Sequence, residues 1–497
     1  MPPIRWVCVS DMHLGALNSI LTAVVPTGDA VDQSTVSPVM DALCAALAAL
    51  RRPGEDPPQL VVLGDLFELA LSSSDDAAAT FAQLVAGLAP GRTGAAVSPD
   101  IRFLAGNHDH HLWSRARGEH YVDYVAQQPH DSPLRAEHFA TPLLAANEPV
   151  PVRDRFIEML AARADPAVPV SVTQSYPNLG ITEGTGRRAV VLSHGHFVEP
   201  LYRMMSMLDL VFQSQRPGPA QAWHLEADNG GWIDFFWSSM GDSGDVGRYT
   251  RTLYESLQSK RAVEDEIASI RRAVTGAGGH RTPASWFRGL AAEVALRGAV
   301  GGVFLRERHV PEVLSEHARQ GLTDYIGGAV GHQVADEIGR PDQLTFVFGH
   351  THKPFVESLT TPAGPVVPVV NTGGWVVDSE HPEATKGAAV VLIDGEMNVA
   401  VLRCYIQGPG ADAYRVQLQS GSGPGPNPLV EELAGMVDPR RDPWSALGEA
   451  IETTVAQRRQ GLSERLGAEE SELELSDGPA RRILHAVERR LTGKGVH

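Results

Sequence analysis

The chain has 497 residues, too many for one ordinary core at about 150 residues per domain. Apolar residues make up 43% and charged residues 21%, which excludes wholesale disorder. The formal charge of −18 argues against a protein that holds nucleic acid by neutralising phosphates. Three dispersed cysteines, Cys8, Cys44 and Cys404, suit neither a disulfide framework nor a thiolate zinc site. The start MPPIRWVCVSD lacks the pattern of a signal peptide, and no apolar run reaches about 18 residues. The expectation is a cytoplasmic protein, with peripheral membrane association as an alternative.

Five short runs rich in branched residues read as buried strands: Trp6–Val9, Leu60–Leu63, Ile101–Leu104, Ala189–Leu192 and Leu344–Phe348. Helices are expected over Val39–Arg51, ending before Pro53, and over Phe81–Leu88. Strands alternating with helices predict a layered α/β core. Further strands are expected at Val366–Val370, Ala388–Ile393 and Asn398–Tyr405. The last two are joined by Asp394-Gly395, a hairpin signal, so this end of the core should be partly antiparallel.

The organisation predicted is a core of residues 1–197 and 343–407, interrupted by a helical insertion or cap over 198–342. A strand-poor linker follows over 408–428, ending in the sequence SGSGPGPNP, and a helical extension over 429–497. That extension should contain helices at Leu429–Met436, Trp444–Arg458 and Arg481–Leu491 and reads as a solvated appendage or an oligomerisation element. Met204, Met205, Met207, Leu208, Leu210 and Phe212, with Trp232, Phe235, Phe236 and Trp237, read as the private core of the cap. A lipid-contacting surface is the alternative. Arg203, Arg248 and Arg251 are candidates for clamping a phosphate.

The chemistry lies at the strand ends. The first ends in Asp11-Met12-His13 and the second in Gly64-Asp65. The third runs into Gly106-Asn107-His108-Asp109, the fourth into His194-Gly195-His196 and the fifth into Gly349-His350-Thr351-His352. Ligands of open α/β sheets bind beyond the carboxyl ends of strands, so these groups are expected to converge. Oxygen and nitrogen donors without thiolates suit a catalytic site for Mn²⁺, Fe or Zn²⁺. On extended segments, residues two apart point the same way, which would aim Asp11 with His13, and His350 with His352, at one cluster. A carboxylate at Asp65, bridging two cations roughly 3.5–4 Å apart, would lower their repulsion.

The ordered set D-x-H, G-D, G-N-H-D, a strand-end histidine and G-H-x-H resembles the calcineurin-like metallophosphoesterase superfamily. The resemblance implies two packed mixed β-sheets flanked by helices, a four-layer core, and two divalent ions, Mn²⁺ first with Fe or Zn²⁺ as alternatives. It implies one metal held by Asp11, His13, Asp65 and His352, and another by Asp65, Asn107, His194 and His350. His108 would protonate the leaving oxygen, oriented by Asp109 or Glu68. His196 and Asn371 are candidate substrate or supporting residues, as is Glu68; His110 and His111 read as structural. The activity implied is hydrolysis of a small-molecule phosphate ester or pyrophosphate by attack of a metal-bound hydroxide.

Within the superfamily, Gly64-Asp65-Leu66-Phe67-Glu68, His194-Gly195-His196 and Gly373-Gly374-Trp375 are similar to the UDP-2,3-diacylglucosamine pyrophosphatases. Those enzymes carry arginine at the place of His108 and lack an insertion of this size. A lipid- or nucleotide-directed pyrophosphatase is therefore one alternative, and a non-catalytic scaffold of the same fold is another.

Overall fold

The computed structural model describes residues 3–203 except 53, 71 and 166–168, then 205–206, 221–238, 312–361 and 366–475. The strands are β1 (Ile4–Val9), β2 (Gln59–Leu63), β3 (Asp100–Leu104), β4 (Val152–Arg153), β5 (Ser171–Gln174), β6 (Asn178–Thr182) and β7 (Arg188–Ser193). They continue as β8 (Gln343–Phe348), β9 (Pro354–Thr360), β10 (Val366–Thr372), β11 (Gly387–Asp394), β12 (Val399–Ile406) and β13 (Gln417–Ser420). The helices are α1 (Pro38–Ala49), α2 (Ser74–Leu88), α3 (His110–Ala126), α4 (Arg155–Ala164), α5 (Ala222–Ile233), α6 (Glu316–Tyr325), α7 (Gly331–Glu337), α8 (Pro428–Leu433) and α9 (Trp444–Leu475).

Two mixed sheets result, flanked by helices. The larger has the order β13-β12-β11-β1-β2-β3-β5-β4 and the smaller β6-β7-β8-β10-β9. Strands β1, β2, β3 and β5 run parallel, and β11 lies antiparallel to β1. In the smaller sheet β7, β8 and β10 are parallel, so β1, β2, β3, β7 and β8 each present a carboxyl end to the site.

The period-two alternation of the strands divides the core. Cys8, Val61, Leu63 and Leu104 of the larger sheet share one buried cluster with Val190, Leu192, Val347 and Val370 of the smaller. Their neighbours Val7, Val9, Leu60, Val62, Ile101 and Phe103 point the other way, into a cluster that includes residues of α1, α2 and α4. Both faces of these strands are therefore apolar, which is why they read as continuous hydrophobic runs.

Helix starts follow local chemistry. The Ser37 hydroxyl accepts from Val39 N–H ahead of Pro38, and Ser73 accepts from Asp76 N–H. The second helix begins seven residues before the expected Phe81, because Ser74–Thr80 lacks a continuous apolar run. The described residues of 198–342 are mainly helical, and Glu337 ties α7 to the core by accepting from Leu143 and Leu144 N–H. The expected linker holds β13, paired antiparallel with β12.

The C-terminal extension is not a solvated appendage over its described part. Trp444, Leu447, Ile451 and Val455 of α9 join the main core, and buried Arg458 donates to the carbonyls of Ser19 and Thr22. Arg481–Leu491 lies outside the described residues. The three cysteines are buried and free, and burial pushes the Cys44 and Cys404 thiols up to about 12. Among the described residues no helix is long and apolar enough to cross a membrane.

Candidate metal centre

The five strand ends converge. Asp11, His13, Asp65, Asn107, His108, His194, His350 and His352 are all buried, at 3% exposure or less. Potential ligand atoms gather in the groups Asp11–His13–His352 and Asp65–His194–His350, with His13–Glu68–His108 alongside. His350 and His352 fall in different groups, as in the ligand sets that the resemblance implies, but they do not lie on extended chain. Asp11, His13, Asp65, His350 and His352 have φ of 50°, 46°, 49°, 70° and 59°, in the left-handed region. Only two other described non-glycine residues, Ala89 and Met397, have positive φ, so this strain is concentrated at the site.

Backbone contacts hold the loops in this shape. Asp11 N–H donates to Gly64 O, and His350 N–H donates to Asp11 Oδ2 at 2.9 Å. His108 N–H donates to Asp65 Oδ1 at 2.8 Å. Gly64 has φ +86°, and a Cβ there would fall 2.6 Å from both Gly106 Cα and His194 Nδ1. A side chain at this position would push two of the loops apart.

Each of three histidines has one ring nitrogen hydrogen-bonded on its outer side. His13 Nδ1 lies 2.9 Å from Glu68 Oε2, and His352 Nδ1 lies 2.8 Å from Asp378 Oδ2. His194 Nδ1 donates to Leu63 O at 2.8 Å, whereas His350 Nε2 approaches Glu199 Oε1 to 3.2 Å by distance alone and fixes no proton. A carbonyl or ionised carboxylate can only accept, so in those three rings the proton sits on the outer nitrogen and the other becomes a lone-pair donor. The inner nitrogens then face one another: His13 Nε2 and His352 Nε2 at 3.2 Å, His194 Nε2 and His350 Nδ1 at 3.2 Å.

Acidic oxygens join these lone pairs. Asp11 Oδ1 is 3.4 Å from His352 Nε2, and Asp65 Oδ2 is 3.4 Å from His194 Nε2 and 3.8 Å from His13 Nε2. Convergent acceptors of this kind repel unless a cation lies among them. The titration behaviour supplies the same positive charge in another form, as protons on the imidazoles. Burial pushes the Asp65 carboxyl up, but the imidazoles of His194, His108 and His13 outweigh it and hold it well below the usual range. Burial pushes His13 down, and Glu68, Asp65 and Asp11 reverse this to about 9. The pocket draws positive charge, and the residues fit divalent cations. No family model matches the chain, and no curated protein matches it.

His108 stands beside these groups, its ring 4.8 Å from that of His13. Its Nδ1 is held 2.9 Å from Glu68 Oε1, so one carboxylate orients His13 and His108 together. Its Nε2 is buried without a hydrogen-bond partner among the described residues, as is Asn107 Nδ2. Asp109 does not orient His108. Its carboxylate accepts from the N–H groups of Gly106, Asp65, Leu66 and Phe67 and joins the second and third loops. Burial, then the charge of Asp65, raises its pKa to about 7.

The remaining candidates support rather than line the centre. His196 Nε2 contacts Tyr176 Oη at 3.1 Å, and Asn371 donates to Gly349 O at 2.6 Å while accepting from Gly373 N–H. His110 is clamped between Asp234 and Glu226, at 2.5 and 3.0 Å, and so links α3 to the insertion. Trp237 and Tyr202, also from the insertion, bring their rings 6.3 Å from His108 and 5.1 Å from His350. Trp237 is 5% exposed and Phe235 62% exposed, so the aromatic cluster is only partly a private core. Arg203 donates to Val198 O. Met204, Met207, Leu208, Leu210, Phe212, Arg248 and Arg251 lie outside the described residues. Sequence reasoning missed Glu199 and Asp378, which have no fixed spacing from the histidines they hold.

Proposed function

We propose that the protein is a phosphoesterase of the metallophosphoesterase type, cleaving a phosphate ester or pyrophosphate at a centre for two divalent cations. The observation that carries this reading is the placement of Asp65. Its Oδ2 sits between His194 Nε2 at 3.4 Å and His13 Nε2 at 3.8 Å, as a carboxylate shared by two ligand groups would. In this reading Asp11, His13, Asp65 and His352 hold one cation and Asp65, Asn107, His194 and His350 the other, within a four-layer core. When bound, the cations, Mn²⁺ first with Fe or Zn²⁺ as alternatives, supply Lewis-acid charge and acidify a water.

The chain's own residues then have distinct tasks. With Nδ1–H engaged by Glu68, His108 donates a proton from Nε2 to the leaving oxygen as the imidazolium, a form that burial disfavours and the charges of Glu68 and Asp65 favour. Asn107 Nδ2, buried and unpartnered, donates to a phosphoryl oxygen. Asp109 keeps the Asp65 and Asn107 loops in register through four backbone N–H groups. No side chain need form a covalent phosphoenzyme.

Tyr202 and Trp237 favour a second reading within the same chemistry. Their rings lie close to His350 and His108, where the non-reacting part of a large substrate would rest. This supports a lipid- or nucleotide-directed pyrophosphatase. A screen of the metal-reconstituted protein on monoesters, diesters and pyrophosphates, with Asp65→Asn as the blank, tests both. Activity on none of the three, or equal activity in the blank, would remove the proposal.

A further inference from the structure

A separate group of donors lies on the far part of α3 and the irregular segment 127–151 that follows it. His120 belongs to α3, and His138 and Glu148 belong to the segment. One ligand atom from each lies within 4.8 Å of the others. The two imidazole rings meet edge to face, with centroids 5.4 Å apart. His120 is 9% exposed, and the Nε2 atoms of both histidines are buried without a hydrogen-bond partner among the described residues. Two buried nitrogens left without partners are costly, and a shared ligand would relieve both at once.

We propose that His120, His138 and Glu148 form a site for a single divalent cation of the zinc type, independent of the centre at the strand ends. Two imidazoles and one carboxylate are a complete protein ligand set for four-coordinate zinc, with water in the last position. Tetrahedral bonds of about 2.1 Å place ligand atoms about 3.4 Å apart, so a modest inward shift of the segment completes the site. Water has access, because His138 and Glu148 line a cavity of about 570 Å³, together with His332 and Trp223. Two guanidinium groups border the site: the charge of Arg135 acts on His120, His138 and Glu148, and that of Arg117 acts on His138. Arg117 is 3.0 Å from Glu137 and 3.5 Å from Glu226, and Arg135 lies over the Tyr124 ring at 4.3 Å.

The cation acts as a clip. Segment 127–151 has little regular structure beyond the turn Ala145–Asn147, and it leads into β4. Joining His138 and Glu148 to α3 closes that loop at two points. Because α3 starts beside His108 and Asp109, the clip also steadies the helix that follows the third loop of the main centre.

The test uses the full chain, stripped with a chelator, loaded with Zn²⁺ alone, desalted and assayed for zinc by mass spectrometry. His138→Ala and Glu148→Gln should each bind one zinc fewer per chain than the unsubstituted protein. Asp65→Asn should keep that zinc whatever it loses at the main centre. Zinc should also protect segment 127–151 from hydrogen exchange in the unsubstituted protein but not in His138→Ala. Should His138→Ala fail to fold, Glu148→Gln decides, since Glu148 lies partly exposed on a loop. A folded Glu148→Gln variant with an undiminished zinc count and unchanged exchange would overturn the proposal.

Discussion

His13 and His352 face each other through Nε2 at 3.2 Å, each ring held from behind by a carboxylate, Glu68 and Asp378. Two lone pairs aimed at one point, next to Asp11 and Asp65, define where a cation is needed. The outer carboxylates should matter almost as much as the ligands. Asp378→Asn or Glu68→Gln is expected to weaken metal affinity by roughly 10–100-fold. Titration with Mn²⁺ against the unsubstituted protein checks this, and undiminished affinity in both variants would show that the outer contacts do not position the rings.

His108→Ala separates proton delivery from metal binding. Turnover should fall by roughly 10²–10⁴-fold on substrates with poor leaving groups. The loss should be far smaller on a nitrophenyl ester, whose leaving group departs without a proton, and metal content should be unchanged. An equal loss on both substrates would count against the proton donor.

His110 gives a pH signature. Burial lowers its pKa, but Glu226 and Asp234 outweigh this and raise it to about 10. A raised pKa means stability that is fully present below the unfolded value near 6.5 and lost as pH rises through about 10. The difference in Tm between the unsubstituted protein and His110→Gln should therefore be largest near pH 6.5 and narrow towards pH 10. A difference that stays constant over this range would show that the imidazolium form contributes nothing.

The extension is expected to be part of the fold's stability. Ile451 is fully buried in the main cluster, and Ile451→Ala should cost about 2–5 kcal/mol. Arg458 donates to the carbonyls of Ser19 and Thr22, just after the first loop of the site, and Arg458→Met should cost about 1.5–3 kcal/mol. Denaturant unfolding measures both; changes within about 0.5 kcal/mol would mark α9 as dispensable.

The strands that carry the site were legible because both of their faces are buried. Val61 and Val62 point to different clusters, yet both are apolar, so β2 stands out as a run. Strands β4, β5, β6, β9 and β13 were not legible. Arg153, Thr173, Asn178, Glu357 and Gln417 interrupt them with polar residues, so none stands out as an apolar run. The centre was legible as donor residues at strand ends, since charge and imidazole immediately after an apolar run is an unusual juxtaposition. Its backbone was not: no side-chain pattern announces that Asp11 and His350 adopt positive φ. Nor does any pattern assign Glu199 to His350 or Asp378 to His352, because those pairings arise only when the loops meet. The helix at Trp444–Arg458 was legible but the burial of Trp444 and Leu447 was not, because a helix with many charged residues reads as solvated until a partner surface is known.

The most direct test of the two-cation centre is electron paramagnetic resonance of the Mn²⁺-loaded chain, compared with Asp65→Asn. Two ions roughly 3.5–4 Å apart, sharing the Asp65 carboxylate, should give a spin-coupled spectrum that the variant lacks together with activity. A spectrum of isolated Mn²⁺ in the unsubstituted protein, or a coupled signal undiminished in Asp65→Asn, would contradict the account.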